Sequence, residues 1–199
     1  MTSMPTPTPA LTRQQLEAHW MPYTGNRQFK DDPRMILGAE GIYYIDDKGR
    51  RVLDGLSGLW TCGLGHNRAE ITAAVTRQLQ TLDYSPAFQF GQPRSFELAN
   101  RIKSLTPDGL DYVFFTNSGS ESADTSLKMA RAYWRLKGQP AKAKLIGRAK
   151  GYHGVNFGGI SVGGIGANRK LFGTAVDADH LAHTMLAENR FTRGMPSHG

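Results

Sequence analysis

The sequence predicts an α/β fold, on three observations. Tyr112-Val113-Phe114-Phe115 is a short apolar run of strand formers, followed by the polar turn 116–120 and a helical stretch over 121–137. Residues 144–149 then read as the next strand. Strand, polar loop and helix in this order form a βα unit, which lays helices on a largely parallel sheet. The chain has 199 residues, 39% hydrophobic and 21% charged. That is the composition of one globular domain or one and a fraction, long enough to bury a core.

Taken in order, residues 1–10 are a Thr/Pro arm, expected to be disordered. Residues 11–20 suit a short helix, with Thr12 and Gln15 spaced as a capping box. Ile42–Ile45 and Arg50–Leu53 flank Asp46-Asp47-Lys48-Gly49, a β-hairpin whose turn takes its left-handed position at Gly49. Residues 55–65 (GLSGLWTCGLG) form a glycine-rich loop around Trp60. A helix should follow, with Asn67 as cap, Glu70 three residues on, Ile71, Val75, Leu79 and Leu82 at helical spacing, and Pro86 as its end. A further helix fits 95–105, with Leu98, Ile102 and Leu105 on one face and Pro107 as stop. The 121–137 helix is closed by Gly138 and Pro140, and no internal repeat is present.

Composition narrows the function. Lys and Arg number 24 against 17 Asp and Glu, a net charge of +7. Residues 125–176 contain no acid and ten bases. A nucleic-acid face would interleave aromatic stacking platforms with such bases, and this stretch does not. A solvated helix face plus a site for a small anion fits better, and the local field suits a phosphorylated cofactor or an acidic substrate. The single cysteine, Cys62, excludes a disulfide framework or a cysteine-rich zinc module and reads as a small packing residue. No apolar stretch approaches the ~18 residues of a membrane span. The opening MTSMPTPTPA has neither the basic start nor the apolar run of a secretory signal. A cytoplasmic chain with no membrane or nucleic-acid partner is expected.

The chemistry concentrates at Ser118-Gly119-Ser120-Glu121, where the long helix begins. A helix start offers unpaired N–H groups and a partial positive charge. Gly119 brings no Cβ, and Ser120 adds a hydroxyl, so the turn can cradle a phosphate. The same residues spell the S-x-x-E capping box, and the two roles are compatible. Beyond the next strand, the glycines of Gly151-Tyr152-His153-Gly154 leave the Tyr152 ring open to stack on a flat aromatic ligand. An ordinary buried tyrosine is the plainer alternative. Gly159-Ile160-Ser161-Val162-Gly163 matches the nucleophile elbow of serine hydrolases, with Asp177, Asp179, His180 and His183 behind it. An elbow needs a helix directly after the serine, and Gly163, Gly164 and Gly166 disfavour one. His180 and His183 lack a third metal ligand and read as surface histidines. Two G-x-G stretches carry Arg68 and Arg169 where a dinucleotide fingerprint has its last glycine.

Together, HWMPYTGNRQF, GLSGLWTCGLGHNRAEI, FFTNSGSESADTSLKMARAYW and KGYHGVNFGGISVGG resemble the class III (ω-type) aminotransferases, which use pyridoxal phosphate. The likeness runs from about His19 to Gly199 and is nearest to the β-alanine:pyruvate branch. It implies the fold-type I architecture, a mostly parallel sheet flanked by helices. Residues 11–65 would then belong to a small domain and 66–199 to the first part of the large, cofactor-binding domain. It also implies that the cofactor phosphate sits on the turn at Ser118, Gly119 and Ser120. Tyr152 would stack on the pyridine ring, with His153 beside it. Trp60 would line the substrate pocket with Tyr23 near it, and Phe88, in 85–93, would face a neighbouring subunit's site. The implied substrates are an ω-amino acid such as β-alanine, or an amine, and the keto acid pyruvate; the implied assembly is a homodimer or homotetramer.

The family's Schiff-base lysine, the carboxylate against its pyridine nitrogen and its substrate-carboxylate arginine lie in contexts absent here. The likeness stops at about half the family's extent. The chain is therefore expected to be truncated and inactive alone. Lys150 is not the missing lysine, because the family's lysine comes from a different strand. An unfinished sheet should leave a strand edge and an apolar face exposed. Two alternatives remain: a non-catalytic half-subunit that only dimerises, and a serine hydrolase built on Ser161.

Overall fold

Residues 11–189 are described by a computed structural model, whose chain divides into two units, Met1–Pro93 and Arg94–Gly199. The arm expected at 1–10 lies outside the described residues. In the first unit, helix α1 (Arg13–Glu17) carries the reciprocal box read from the sequence. The Thr12 hydroxyl accepts the N–H of Gln15, and the Gln15 side chain accepts the N–H of Thr12. Helix α2 (Asn26–Asp31) is tied to α1 by the buried Lys30, whose Nζ donates to the Glu17 carbonyl at 2.8 Å.

Strands β1 (Ile36–Glu40), β2 (Tyr43–Asp46) and β3 (Arg51–Leu53) form an antiparallel sheet in that order. The β2–β3 hairpin is the predicted one, and Gly49 holds φ +72° in its turn. Asp46 Oδ1 accepts the N–H groups of Lys48 and Arg50, and Oδ2 accepts Arg50 Nε at 2.7 Å. Strand β1 is not legible in the sequence. Its Gly38 and Ala39 are poor strand formers, and a register shift between Ile36 and Gly38 breaks the alternation.

Helix α3 (Ser57–Trp60) is a single turn, and helix α4 (Ala69–Thr81) follows it. The expected cap is corrected here: Asn67 has φ +52° and donates its amide to the Ala39 carbonyl, while Arg68 holds the N-cap position. The helix also ends at Thr81 rather than at Pro86, because Leu82 is already extended.

Helix α5 (Pro93–Lys103), all but its first residue in the second unit, opens on a proline, whose missing N–H costs nothing at that position. Helix α6 (Gly119–Leu136) begins two residues before the expected start, and Gly138, at φ +73°, follows its end. Strand β4 (Leu145–Arg148) is the predicted one. It pairs in parallel with β5 (Ala178–Leu181), from Leu145↔Ala178 to Arg148↔Leu181. Helices α7 (Phe157–Val162) and α8 (Gly166–Phe172) lie between them in sequence.

Residues 112–115 are not a strand, against expectation. Among the described residues no ladder partner reaches them, and Tyr112 is 98% exposed. Ser161 sits near the end of α7, which stops at Val162 with Gly163 extended (φ −65°, ψ 141°), so no helix follows the serine directly, as its glycines predict. Helix α7 itself is buried against α6, β4 and β5. Among the described residues, Leu16, Ile160 and Val162 are the buried apolar side chains. The stripe Ile71, Val75 and Leu79 on α4 stays exposed, as do Ile146 and Leu181 on the parallel pair.

Candidate functional site

Ser118 is extended (φ −155°, ψ 159°) and caps α6, its Oγ accepting the N–H of Glu121 at 3.1 Å. Glu121 does not close the box on Ser118. Its carboxylate takes the N–H of Asn117 at 2.7 Å. Gly119 and Ser120 then present N–H groups with no acceptor among the described residues, at the positive end of an 18-residue helix. A Cβ at Gly119 would meet open space, so the approach to these groups is clear.

Two side chains one turn apart bind α7 and the loop before it to this helix. Ser120 Oγ accepts the N–H of Val155 at 3.0 Å, which leaves its own proton available. Asp124 Oδ1 accepts the N–H of Gly159 at 2.8 Å. The spacing i, i+4 puts both on one face of α6. The contact also needs glycine at 154, which has φ +100° and whose Cβ would lie 2.6 Å from Ser120 Cα. The result is one pocket, walled by Gly119, Ser120 and Ser126 on one side and Tyr152, His153 and Gly154 on the other. Tyr152 is 58% exposed, so its ring is not a core tyrosine.

Of the site residues read from the sequence, Gly119, Ser120, Tyr152 and His153 thus come together, with Ser118 behind them as cap. Tyr23, Trp60 and Phe88 belong to the first unit and are exposed there, at 88%, 82% and 81%. Tyr23 (φ 52°) and Trp60 (φ 71°) both have left-handed backbones.

Ser161 is fully buried inside α7. Its hydroxyl donates to the Phe157 carbonyl at 2.6 Å and accepts the N–H groups of Ala175 and Val176. That is a structural hub with no face open to substrate. His180 and His183 are half-buried, a correction to the reading of both as surface residues. His180 Nε2 lies 2.9 Å from the Gly163 carbonyl, within α7's surroundings. Among the described residues no three groups are placed to hold a metal ion.

Sequence reasoning missed a cluster around Asp54 in the first unit. Asp54 Oδ2 lies 2.8 Å from His66 Nε2 and accepts the N–H of Gly58 at 2.8 Å, and Oδ1 accepts the N–H of Leu56 at 3.2 Å. The Tyr44 ring lies 4.6 Å from that of His66. Burial works to raise the Asp54 carboxyl, but the bonds from His66, Tyr44, Leu56 and Gly58 outweigh it and hold the group below its usual range. No spacing rule links these residues, which is why the sequence alone is silent on them.

The family model described as aminotransferase class-III matches residues 25–191. The chain belongs to the class III aminotransferase family. A β-alanine–pyruvate aminotransferase of Pseudomonas aeruginosa is 63% identical over 191 residues, 96% of this chain and 43% of that protein. An omega-amino acid–pyruvate aminotransferase of Pseudomonas putida is 64% identical over 185 residues, 92% of this chain and 41% of that protein. The crystal structure of the omega transaminase of Pseudomonas jessenii in complex with PMP superposes with a TM-score of 0.84 at 32% identity, over 93% of this chain and 41% of that one. This class III chain thus spans less than half the length of these relatives. It shares the α/β, fold-type I architecture of the solved transaminases over that part.

Proposed function

We propose that this chain provides the cofactor cradle of a pyridoxal-phosphate-dependent aminotransferase, which moves an amino group from β-alanine, another ω-amino acid or an amine to pyruvate. The observation that carries the reading is the single pocket on which two free N–H groups, the Ser120 hydroxyl and the exposed Tyr152 ring converge. Those groups fit the cofactor. A phosphate is matched by oriented N–H donors at a helix start and by a hydroxyl proton. A pyridine ring is matched by an accessible aromatic face. The family and the names of the relatives support the same reading.

When bound, the cofactor supplies an electron sink for the charge that develops beside the transferred amino group. The chain's own residues do the holding. The N–H groups of Gly119 and Ser120 anchor the phosphate, Ser118 caps the helix behind them, and Tyr152 with His153 sets the plane of the ring. Trp60 and Tyr23 shape the donor pocket, and Phe88 faces a neighbouring subunit in a homodimer or homotetramer. No lysine of this chain is assigned the covalent role.

The test measures cofactor affinity and alanine formation from pyruvate with β-alanine as donor, using the full-length protein. Ser120→Ala should weaken cofactor binding about fivefold, near 1 kcal/mol for one hydrogen bond. Tyr152→Ala should weaken it further, while Tyr152→Phe should retain most of it. Unchanged affinity in a Ser120→Ala, Tyr152→Ala double variant would overturn the assignment.

A further inference from the structure

We infer that Asp54 is a positioning residue that clamps a left-handed turn and thereby fixes how Trp60 is presented. The turn is α3. Gly58 (φ 57°, ψ 44°) and Leu59 (φ 57°, ψ 48°) are left-handed, as are Ser57 (φ 49°) and Trp60 (φ 71°). Three of these four residues carry a Cβ, which collides with the following carbonyl in this conformation. L-residues enter it singly as a rule, so a consecutive run persists only where surrounding contacts over-determine it.

Those contacts converge on one carboxylate. Both Asp54 oxygens are used by the turn, Oδ1 for the Leu56 N–H and Oδ2 for the Gly58 N–H. The Asp54 side chain is only 6% exposed, and His66 at 13% exposure closes it from the side. His66 is itself fixed, because its N–H donates to Gly41 O at 2.7 Å and its carbonyl accepts the Gly41 N–H at 3.2 Å. The Tyr44 ring on β2 lies 4.6 Å from that of His66. The sheet thus holds the carboxylate, and the carboxylate holds the turn. Trp60 stands at the end of that turn, 82% exposed, with its N–H on the Leu56 carbonyl at 2.9 Å. An indole so presented keeps its direction only while the turn does.

That this direction serves the amine donor rests on the pocket reading given above; the clamp itself stands on geometry. The experiment compares wild-type full-length protein with Asp54→Asn, His66→Leu and Trp60→Ala, by hydrogen exchange and by steady-state kinetics. Asp47→Asn, on the exposed hairpin turn, is the control. Asp54→Asn removes one of the two acceptors that the turn uses. Exchange of the amides in 56–62 should rise at least about tenfold while the strands at 36–53 stay protected. KM for the amine donor should rise with cofactor affinity unchanged. Unaltered exchange in 56–62 would overturn the clamp. If Asp54→Asn also opens the strands, His66→Leu decides: faster exchange confined to 56–62 supports the clamp, and exchange that is unchanged or spread over 36–53 overturns it. Trp60→Ala separates the two claims, since an unchanged donor KM there removes the pocket reading while the exchange result still judges the clamp.

Discussion

Asp46 and Asp54 make the first unit sensitive to acid. For both, burial acts to raise the carboxyl and is outweighed by hydrogen bonds, from Arg50 and Lys48 in one case and from His66, Tyr44, Leu56 and Gly58 in the other. Each folded carboxyl therefore takes up its proton at lower pH than the unfolded group near 3.9. The unfolded chain then binds more protons, so stability is full above about pH 5 and falls as pH drops through the unfolded and then the folded value. Melting temperatures of the first unit should be flat between pH 5 and 7 and fall steeply below 4, with a shallower fall in Asp54→Asn. A second residue-scale expectation concerns Gly154→Ala. Its methyl would lie 2.6 Å from Ser120 Cα at φ +100°, so roughly 1–3 kcal/mol of stability should be lost, with weaker cofactor binding as well. Single residues were legible in the sequence where a local rule applied. Flanking glycines marked Tyr152 and His153, whereas Asp54 and His66 meet only through the fold.

At the scale of elements, α6 does two separable jobs. Ser118→Ala removes its cap and should cost about 1 kcal/mol in denaturant unfolding while the groups that face the pocket stay in place. Asp124→Ala should act the other way round. It frees the Gly159 N–H at the start of α7, loosens the loop at 152–156 that leads into that helix and lowers cofactor affinity more than stability, which paired titration and unfolding curves would reveal. Helices α1, α4, α5 and α6 and the β2–β3 hairpin were readable because period and turn residues are local signals, whereas the short helices α2, α3, α7 and α8 carry no such signal. Strands β1 and β5 were not, nor was the failure of 112–115 to pair, because a ladder depends on a partner distant in sequence.

For the molecule as a whole, the prominent feature is uncovered apolar surface in both units. Parallel sheets are ordinarily buried on both faces, yet Ile146 and Leu181 on the β4–β5 pair are 65% and 55% exposed. Two strands rarely suffice for independent stability. The 199-residue chain expressed alone should therefore self-associate or bind hydrophobic dyes, and light scattering that reports a clean monomer would contradict this. The parallel pairing has a consequence for biosynthesis too. Arg148 meets Leu181, so among the described residues β4 has no ladder partner until β5 has been translated. At roughly 5–20 residues per second that interval lasts seconds. During it, α7 with Ile160 and Val162 has α6 and β4 but not β5 to close against, and a nascent chain paused there would be the species most in need of a chaperone.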